Sequence, residues 1–523
     1  MTTAQIIICV SIFVYLAAVL TIGAYFTKKN KSVDDFYLGG RRLGPFVTAM
    51  SAEASDMSSW LLMGLPGVAL LTGSAEAVWT AAGLAVGTYI NWLVVAKRIR
   101  VYTSKINAIT IPDFFTKRFH DRNNLLTLVA AVIIIIFFVP YTASGFKACG
   151  TLFSSLFGVS YLPAMIICAA VIVAYTTLGG FLAASTTDFI QSIVMTAALA
   201  IVLIFGFSNA GGVNAVLDNA KQIGGYLSLT ETHNVVTGAV GKYGFITIFS
   251  TLAWGLGYFG MPHVLLRFMA IKDKKQLKLS RRIASVWVVI SMGIAVVIGF
   301  IGYKLMDLGL IFKDGITAGS SKEETVLIEI AKFMSNLYSS GLIFVILAVL
   351  AGVILAGILA STMSTADSQL LAAASSVSQN ILHDTFGLNL SNRASMLIAR
   401  GSVLLISVVA VFIARDENSS VFRIVSFAWA GFGATFGPVV LSALFWKRAN
   451  KWGALSGMLV GGITVFVWKY LIRPLGGAWD IYELLPAFIL AFAAIVIVSL
   501  LTPSPEQEII DEFEAVNAEV KEK

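Results

Sequence analysis

The chain alternates between long apolar runs and short polar connections along nearly its whole length. About 13 of these runs reach the length of about 20 residues that a helix needs to cross a bilayer. They lie near 4–26, 46–71, 76–96, 124–146, 161–180, 188–208, 242–268, 284–306, 339–368, 396–414, 421–446, 453–472 and 483–502. The pattern predicts an all-α polytopic membrane protein, with a single transmembrane domain over residues 1–502 and a charged tail over 503–523.

The composition agrees with a membrane interior and argues against several other classes of protein. Of 523 residues, 57% are hydrophobic and only 13% are charged, whereas soluble domains carry about 25% charged residues. The apolar runs are too long, and alternate too little, for a β-barrel. The Lys and Arg residues behind the net charge of +8 lie between the apolar runs, where membrane topology rather than nucleic-acid binding explains them. Three cysteines without a CxxC pattern and four scattered histidines predict neither redox chemistry nor a metal centre.

Basic residues between the runs predict the orientation of the chain. The clusters are Lys28, Lys29, Lys31, Arg41 and Arg42 after the first run, Lys97, Arg98, Arg100, Lys105, Lys117, Arg118 and Arg122 after the third, Lys272, Lys274, Lys275, Lys278, Arg281 and Arg282 after the seventh, and Lys447, Arg448 and Lys451 after the eleventh. The connections near 209–241 and 307–337 are poorer in Lys and Arg. Because Lys and Arg stay on the cytoplasmic side, we expect the N-terminus outside and the C-terminus in the cytoplasm.

The second run contains an unusual polar interruption. Residues 49–59 place Glu53 and Asp56 among small and hydroxyl residues in the middle of the apolar run 46–71. A charge at that depth costs at least about 2.5 kcal/mol, so we expect it to face a cavity, a partner or a substrate path. Small and hydroxyl residues also weaken the helix, and an unwound backbone offers carbonyl oxygens to a cation. This segment predicts an ion-coupled site.

Two later runs carry related signals. In residues 254–263, two glycines followed by Gly-Met-Pro should break or kink the helix. Secondary transporters often pair two interrupted helices at matching positions of inverted repeats. The two interruptions lie five runs apart, which predicts two five-helix repeats over about 46–208 and 242–446. The hydroxyl cluster in 360–369 offers further oxygen ligands for a hard cation.

Several long blocks resemble the sodium/solute symporter family, and most closely its sodium/proline symporter branch. The blocks are 34–41, 55–67, 254–263, 363–365, 428–438 and 453–458. The resemblance implies a LeuT-type core of ten helices in two inverted repeats, with one helix before it and two after it. It also implies a transporter of the bacterial plasma membrane, not an enzyme, that uses Na⁺ as coupling ion and L-proline as substrate. Lipid surrounds such a protein, and neither nucleic acid nor an obligatory protein partner is expected.

The resemblance further implies which residues bind the ion. Na⁺ would lie between the second and ninth runs, held by the carbonyls of Ala54, Met57 and Ser361 and the hydroxyls of Ser364 and Thr365, with Asp56 and Ser58 nearby. Asp188 matches a carboxylate that some relatives use in a second sodium path, and it is also open to interpretation as an N-cap of the sixth run. Arg41 matches a gating arginine at the cytoplasmic end of the second run.

The substrate pocket of the proline branch maps onto five positions. They are Trp60, Tyr141, Trp254, Tyr258 and Pro262. Aromatic faces can bury the apolar ring of proline and contact its charged amine. The alternatives are that the aromatic residues belong to the core or the interfacial belt, that Pro262 only kinks its helix, and that the hydroxyls of Ser364 and Thr365 bond back to helix carbonyls.

Two residues depart from the family pattern. Glu53 stands where a small or neutral residue is expected, and Asp367 adds a carboxylate just past Thr365. Each could change the ion preference, support proton coupling, or pair with basic residues at a cavity rim. The rival functions are symport of another small solute, such as another amino acid, a carboxylate, a sugar or a vitamin, and a sensor or channel with a transporter-like fold. A sensor needs a signalling domain, and the tail after residue 503 is too short for one.

Overall fold

The computed structural model describes residues 1–27, 33–317, 319–388 and 391–522, so Lys28, Lys29 and Lys31 of the first basic cluster lie outside the described residues. The α-helices are α1 (Thr3–Thr27), α2 (Val33–Leu38), α3 (Pro45–Asp56), α4 (Leu65–Thr72), α5 (Ser74–Ile90), α6 (Ala96–Lys105), α7 (Ile111–Arg118), α8 (Leu125–Phe157), α9 (Tyr161–Asn209), α10 (Val213–Gln222), α11 (Phe245–Leu252), α12 (Pro262–Ala270), α13 (Leu277–Asp307), α14 (Val326–Ser335), α15 (Gly341–Ser375), α16 (Asn392–Ile413), α17 (Val421–Phe445), α18 (Lys451–Val467), α19 (Leu484–Leu501) and α20 (Gln507–Lys521). A short antiparallel hairpin joins β1 (Glu231–His233) to β2 (Val240–Lys242).

The predicted all-α polytopic architecture is confirmed. Within the described ranges, ten helices are long and apolar enough to cross a membrane. Three of the predicted runs contain none of these ten helices. Each of the three contains a shorter apolar segment instead: Trp60–Thr72, Tyr161–Thr177 or Phe245–Gly260. The total of about 13 crossings and the boundaries of the two repeats remain predictions.

Both predicted interruptions are present. Helix α3 ends at Asp56, and Met57 (φ −77°, ψ 40°) leaves the helical conformation before a π-helical segment, Trp60–Gly64, leads into α4. The second interruption follows α11, where a 3₁₀ segment, Ala253–Gly260, is followed by an extended residue and then by α12. Pro262 is the first residue of α12, a position where the missing N–H of proline costs nothing.

The second broken helix lies against its neighbours at backbone contact distance. A Cβ added to Gly87 of α5 would lie 2.4 Å from Gly255 Cα, and one added to Gly260 would lie 2.2 Å from the Phe432 carbonyl oxygen of α17. Small residues allow this approach between membrane helices. The 3₁₀ segment is therefore held between α5 and α17.

Helix α20 covers the face of the molecule on which the predicted basic clusters lie. Lys274 pairs with Glu519 at 2.8 Å, and Lys447 pairs with Glu514 at 3.1 Å. The tail predicted after residue 503 is therefore helical and rests on the basic connections between the spans.

We predict that Gly87→Ala lowers the unfolding temperature of the purified protein, because the added methyl group must displace the backbone at Gly255. Overpacking of this kind costs about 1–3 kcal/mol. Gly293→Ala is the matched control, since no atom lies within 4 Å of a Cβ at that position of α13. Thermal unfolding of both variants in detergent is the measurement. Equal unfolding temperatures would show that the α5 crossing tolerates a wider separation.

Candidate functional site

The first broken helix meets α15 through a cluster of oxygen atoms. The Ser364 hydroxyl lies 2.8 Å from the Ala54 carbonyl oxygen and 3.2 Å from that of Ser361. The Thr365 hydroxyl donates to the same Ser361 carbonyl at 3.1 Å. Four of the five predicted sodium-ligand positions are thus brought together, and the fifth, Met57, lies buried at the break itself.

The two hydroxyls bond back to carbonyls of their own helix, as one interpretation of the sequence anticipated. This geometry is compatible with cation binding, because a hydroxyl that donates a hydrogen bond keeps lone pairs to offer an ion. A set of carbonyl and hydroxyl oxygens is the donor type that hard cations prefer. The cluster therefore suits a hard cation.

Asp56 joins the two broken helices. Its side chain is 6% exposed. Its Oδ2 accepts a hydrogen bond from the Tyr258 hydroxyl at 2.6 Å, and its backbone carbonyl accepts one from Tyr141 at 3.2 Å. The other carboxylate oxygen has no hydrogen-bond partner among the described residues. Ser58, two residues along, accepts the backbone N–H of Trp60 at 3.2 Å and so caps the start of the π-helical segment.

The predicted substrate aromatics form one cluster with Phe422. The ring centroids of Trp60 and Trp254 lie 5.7 Å apart, and Phe422 lies 6.1 Å from the first and 5.4 Å from the second. Of these three rings, Trp60 and Trp254 line a cavity of about 10 Å³. Its lining residues are Asp56, Met57, Trp60, Leu84, Tyr141, Trp254, Val425 and Trp429. A space of this size holds about one water, so the pocket is closed in this conformation.

Two of the predicted pocket residues do not line the cavity. Tyr258 lies beside it and reaches Asp56, whereas Pro262 is buried at the start of α12. The prediction missed Trp429, whose indole N–H donates to the Trp254 carbonyl at 2.7 Å. Trp429 lies in the block 428–438, which the sequence analysis recognised, but its contact with Trp254 was not predicted.

Asp188 lies in a buried polar cluster with Arg267. The Asp188 Oδ2 accepts hydrogen bonds from Ser51 at 2.7 Å and from Arg267 at 3.1 Å. Arg267 also donates to the Ser368 hydroxyl and to the His263 carbonyl. Both partners of the ion pair are almost fully buried. Arg267 is the single arginine inside the apolar run 242–268, and this isolated charge was the sequence signal that could have identified it as a functional residue.

The N-cap interpretation of Asp188 is wrong. Helix α9 changes direction at Gly180 (φ 66°, ψ −177°), and the second half of the helix starts there rather than at 188. Thr187 hydrogen-bonds back to the Ala183 carbonyl at 3.0 Å, so the hydroxyl residues continue the helix instead of capping it. Asp188 therefore lies two turns inside the helix.

The two departures from the family pattern are both buried without an ion pair among the described residues. Glu53 Oε1 accepts hydrogen bonds from Trp92 at 2.8 Å and from Thr88 at 3.1 Å. Asp367 Oδ1 accepts the Ser368 hydroxyl at 3.1 Å. Each leaves its second carboxylate oxygen without a partner in the same part of the chain. Pairing with basic residues at a cavity rim therefore does not describe either residue.

Arg41 lies on the basic face and connects three chain segments. Its guanidinium donates to the backbone carbonyls of Met269 at 2.8 Å, Thr103 at 3.0 Å and Ala108 at 2.7 Å. It therefore ties the end of α12 to α6 and to the connection that follows α6. This is a position from which a side chain can hold one end of a broken helix in place.

We predict that Arg267→Leu strongly destabilises the protein, because it leaves the Asp188 carboxylate buried without its guanidinium. Breaking a buried pair from one side costs about 3–5 kcal/mol. The double variant Asp188→Asn with Arg267→Gln should recover part of the loss, since it removes both charges. The measurement is the unfolding temperature in detergent.

Lys221→Ala serves as the control for this prediction, because its pair with Asp218 is 65% exposed on both sides. Exposed pairs contribute about 0–1 kcal/mol. A similar unfolding temperature for Arg267→Leu and Lys221→Ala would contradict the importance of the buried pair.

Two broken helices, an oxygen cluster at one break and an aromatic pocket between the breaks define a secondary transporter of the LeuT type. The sodium:solute symporter family matches residues 36–461, and the chain belongs to this family of transporters. It is therefore not an enzyme, and the resemblance seen in the sequence is confirmed.

Curated relatives match over nearly the full length. The chain is 42% identical over 500 residues to the osmoregulated proline transporter OpuE of Bacillus subtilis, covering 95% of each chain. It is 42% identical over 517 residues to a sodium/proline symporter of Haemophilus influenzae, covering 97% of each chain. The sodium/proline symporter of Escherichia coli is 39% identical over 510 residues, with 97% of this chain and 96% of that protein covered.

Solved structures confirm the LeuT-type fold. A Na⁺-coupled sialic acid symporter in a substrate-bound, outward-open state superposes with a TM-score of 0.77 at 19% identity, covering 96% of this chain and 99% of that one. A nucleobase-cation-symport-1 family transporter in a closed conformation gives a TM-score of 0.55 at 16% identity, with 93% and 99% covered.

Proposed function

We propose that this protein takes up L-proline together with Na⁺ across a bacterial plasma membrane by alternating access. The observation that carries the proposal is the oxygen cluster that joins the break after Ala54 to Ser364 of α15, directly beside an aromatic pocket. The names of the relatives support it, since the three described above are bacterial sodium/proline symporters or proline transporters.

In this proposal Na⁺ ties α3 to α15. Its ligands are the carbonyls of Ala54, Met57 and Ser361 and the hydroxyls of Ser364 and Thr365, with Asp56 and Ser58 nearby. The unpartnered oxygen of Asp56 supplies negative charge beside the ion. Binding of the ion replaces hydrogen bonds between hydroxyls and carbonyls with ion–oxygen contacts, and it stabilises one relative position of the two helices.

Proline would bind between Trp60, Tyr141, Trp254 and Tyr258. Its ring would contact the indole faces, and its carboxylate would lie near the positive end of α12, which begins at Pro262 after the 3₁₀ segment. The closed cavity of about 10 Å³ must widen to admit it. Na⁺ and proline are coupled because each stabilises the same conformation, and each charge that crosses 100 mV contributes about 2.3 kcal/mol to uptake.

Two further assignments belong to the same proposal. Asp188 would serve a second ion path, where an entering cation competes with Arg267 for the carboxylate. Arg41 would act in gating, since its guanidinium holds the end of α12. The basic face, with α20 on it, would lie in the cytoplasm, which puts the N-terminus outside.

We predict that proteoliposomes containing the protein accumulate labelled L-proline against its gradient only when Na⁺ is higher outside. Asp56→Asn should reduce this uptake at least about tenfold, because it removes the charge beside the ion and keeps the shape of the side chain. Asp218→Asn is the control, since that carboxylate is exposed on α10 and should leave uptake unchanged.

The alternatives give different results in the same experiment. Na⁺-driven uptake of another solute from a small panel, without proline uptake, would keep the mechanism and change the substrate. A channel would give downhill flux without accumulation. A sensor would bind its solute without moving it.

We predict that Ser364→Ala raises the Na⁺ concentration for half-maximal uptake by roughly tenfold, which is the effect of about 1.4 kcal/mol. The variant removes one ligand hydroxyl and leaves the helix intact. Ser407→Ala in α16 is the matched control, because that buried serine bonds back to the Val403 carbonyl at 2.7 Å and lies outside the site. An unchanged Na⁺ dependence in Ser364→Ala would place the ion elsewhere.

A further inference from the structure

The segment that leads into α19 reaches the proposed proline pocket through Tyr482. This residue stands just before α19, beyond both predicted repeats. Its ring stacks on Trp254 with centroids 5.2 Å apart and planes 22° apart. Its hydroxyl donates to the Ser426 carbonyl of α17 at 2.6 Å, and its backbone N–H donates to the Ser250 hydroxyl of α11 at 2.6 Å. Tyr482 is therefore fixed at three points around Trp254.

Glu483, the neighbouring residue, fixes the position of Tyr482 through ion pairs. Glu483 is fully buried, and its carboxylate lies 3.1 Å from Arg473 and 3.5 Å from Lys469. Both basic residues belong to the segments that follow α18. Because this buried carboxylate is shared by two partly exposed cations, a shift of the segment that carries Tyr482 would break these pairs and leave Glu483 buried without a counter-charge.

Trp254 depends on its neighbours for its position. It belongs to a 3₁₀ segment, whose hydrogen bonds have poorer geometry than those of an α-helix. Its carbonyl accepts the indole N–H of Trp429, and its ring contacts Trp60 and Phe422 as well as Tyr482. Trp254 lines the cavity and Tyr482 does not, so any effect of Tyr482 on a bound solute must pass through Trp254.

We propose that Tyr482 is a positioning residue that fixes the Trp254 indole against the substrate ring, so that a segment outside the repeats sets the size selectivity of the pocket. The inference rests on the proposed function. When the phenol ring is absent, the indole gains room to move away from the cavity. The pocket then binds proline less tightly and discriminates less against a ring that is one methylene larger.

The test compares uptake kinetics in proteoliposomes for L-proline and for L-pipecolate, its six-membered-ring analogue. Tyr482→Leu should raise the KM for L-proline about 3- to 10-fold, the effect expected from losing one aromatic pair. Its maximal rate and Na⁺ dependence should change less than about twofold, and its preference for proline over pipecolate should fall. Tyr482→Phe keeps the ring and loses only the bond to Ser426, so it should restore KM and selectivity to near wild type.

Phe492→Leu is the matched control, because it removes an aromatic ring from α19, the helix that Tyr482 precedes, at a position that is 40% exposed. It should leave both KM values unchanged. Tyr482→Leu with wild-type KM and selectivity, or with a lower maximal rate at unchanged KM, would overturn the positioning role. If the wild-type protein takes up a different solute with Na⁺, the proposed function is wrong, and the same three variants are then compared on that solute and on a larger analogue of it.

Discussion

Every backbone carbonyl released by a broken helix inside a membrane must find a partner within the protein. The rest of this structure is organised around that requirement. At the first break, Tyr141 of α8 donates to the Asp56 carbonyl, and Ser364 of α15 contacts the Ala54 carbonyl. At the second, side chains of neighbouring helices supply the partners: Asn91 donates to the Tyr258 carbonyl at 3.1 Å and Trp429 to the Trp254 carbonyl at 2.7 Å. Four surrounding helical elements thus donate hydrogen bonds to carbonyls at the two breaks. At these positions an ion or a solute could replace a donor at a low cost in free energy.

Buried carboxylates lie close to the same two breaks. Four carboxylates are buried near the breaks, at Glu53, Asp56, Asp188 and Asp367, and Arg267 is the cation paired with one of them in the described part of the chain. The other three accept hydrogen bonds only from neutral groups there. A buried carboxylate without a counter-charge is costly, and a cation bound in this region, as proposed above, would lower that cost. In the proposed mechanism, this excess of negative charge would attract Na⁺ whatever solute is bound.

The sequence predicted the spans and the breaks because both follow from local patterns: run length for the first, and Gly-Met-Pro or clustered hydroxyl and acidic residues for the second. It misplaced the start of the helix around Asp188, because the preceding threonines resemble a cap but in fact bond back to their own helix. It also missed the hairpin of β1 and β2, whose three-residue strands are too short to show an alternating pattern. The contacts Asp188–Arg267 and Tyr482–Trp254 join distant parts of the chain. No local pattern encodes such pairs, because they depend on how the helices pack.

Phe422 connects the aromatic pocket to a buried carboxylate, that of Glu324. Phe422 packs on Trp60 and Trp254, and on its other side it lines a second cavity of about 770 Å³. Its backbone N–H donates to Glu324 at 3.0 Å, and Glu324 is itself buried 3.4 Å from Lys147 of α8. Phe422 therefore contacts both the aromatic cluster and the larger cavity. The start of α17, where Phe422 lies, is held by a carboxylate that also accepts the Val421 N–H and the Ser420 hydroxyl. Displacing the start of α17, as opposed to rotating the Phe422 ring alone, would cost hydrogen bonds to a charged group, which are stronger than those between neutral groups. In the proposed mechanism, any opening that displaces the start of α17 would require solute binding to offset that cost.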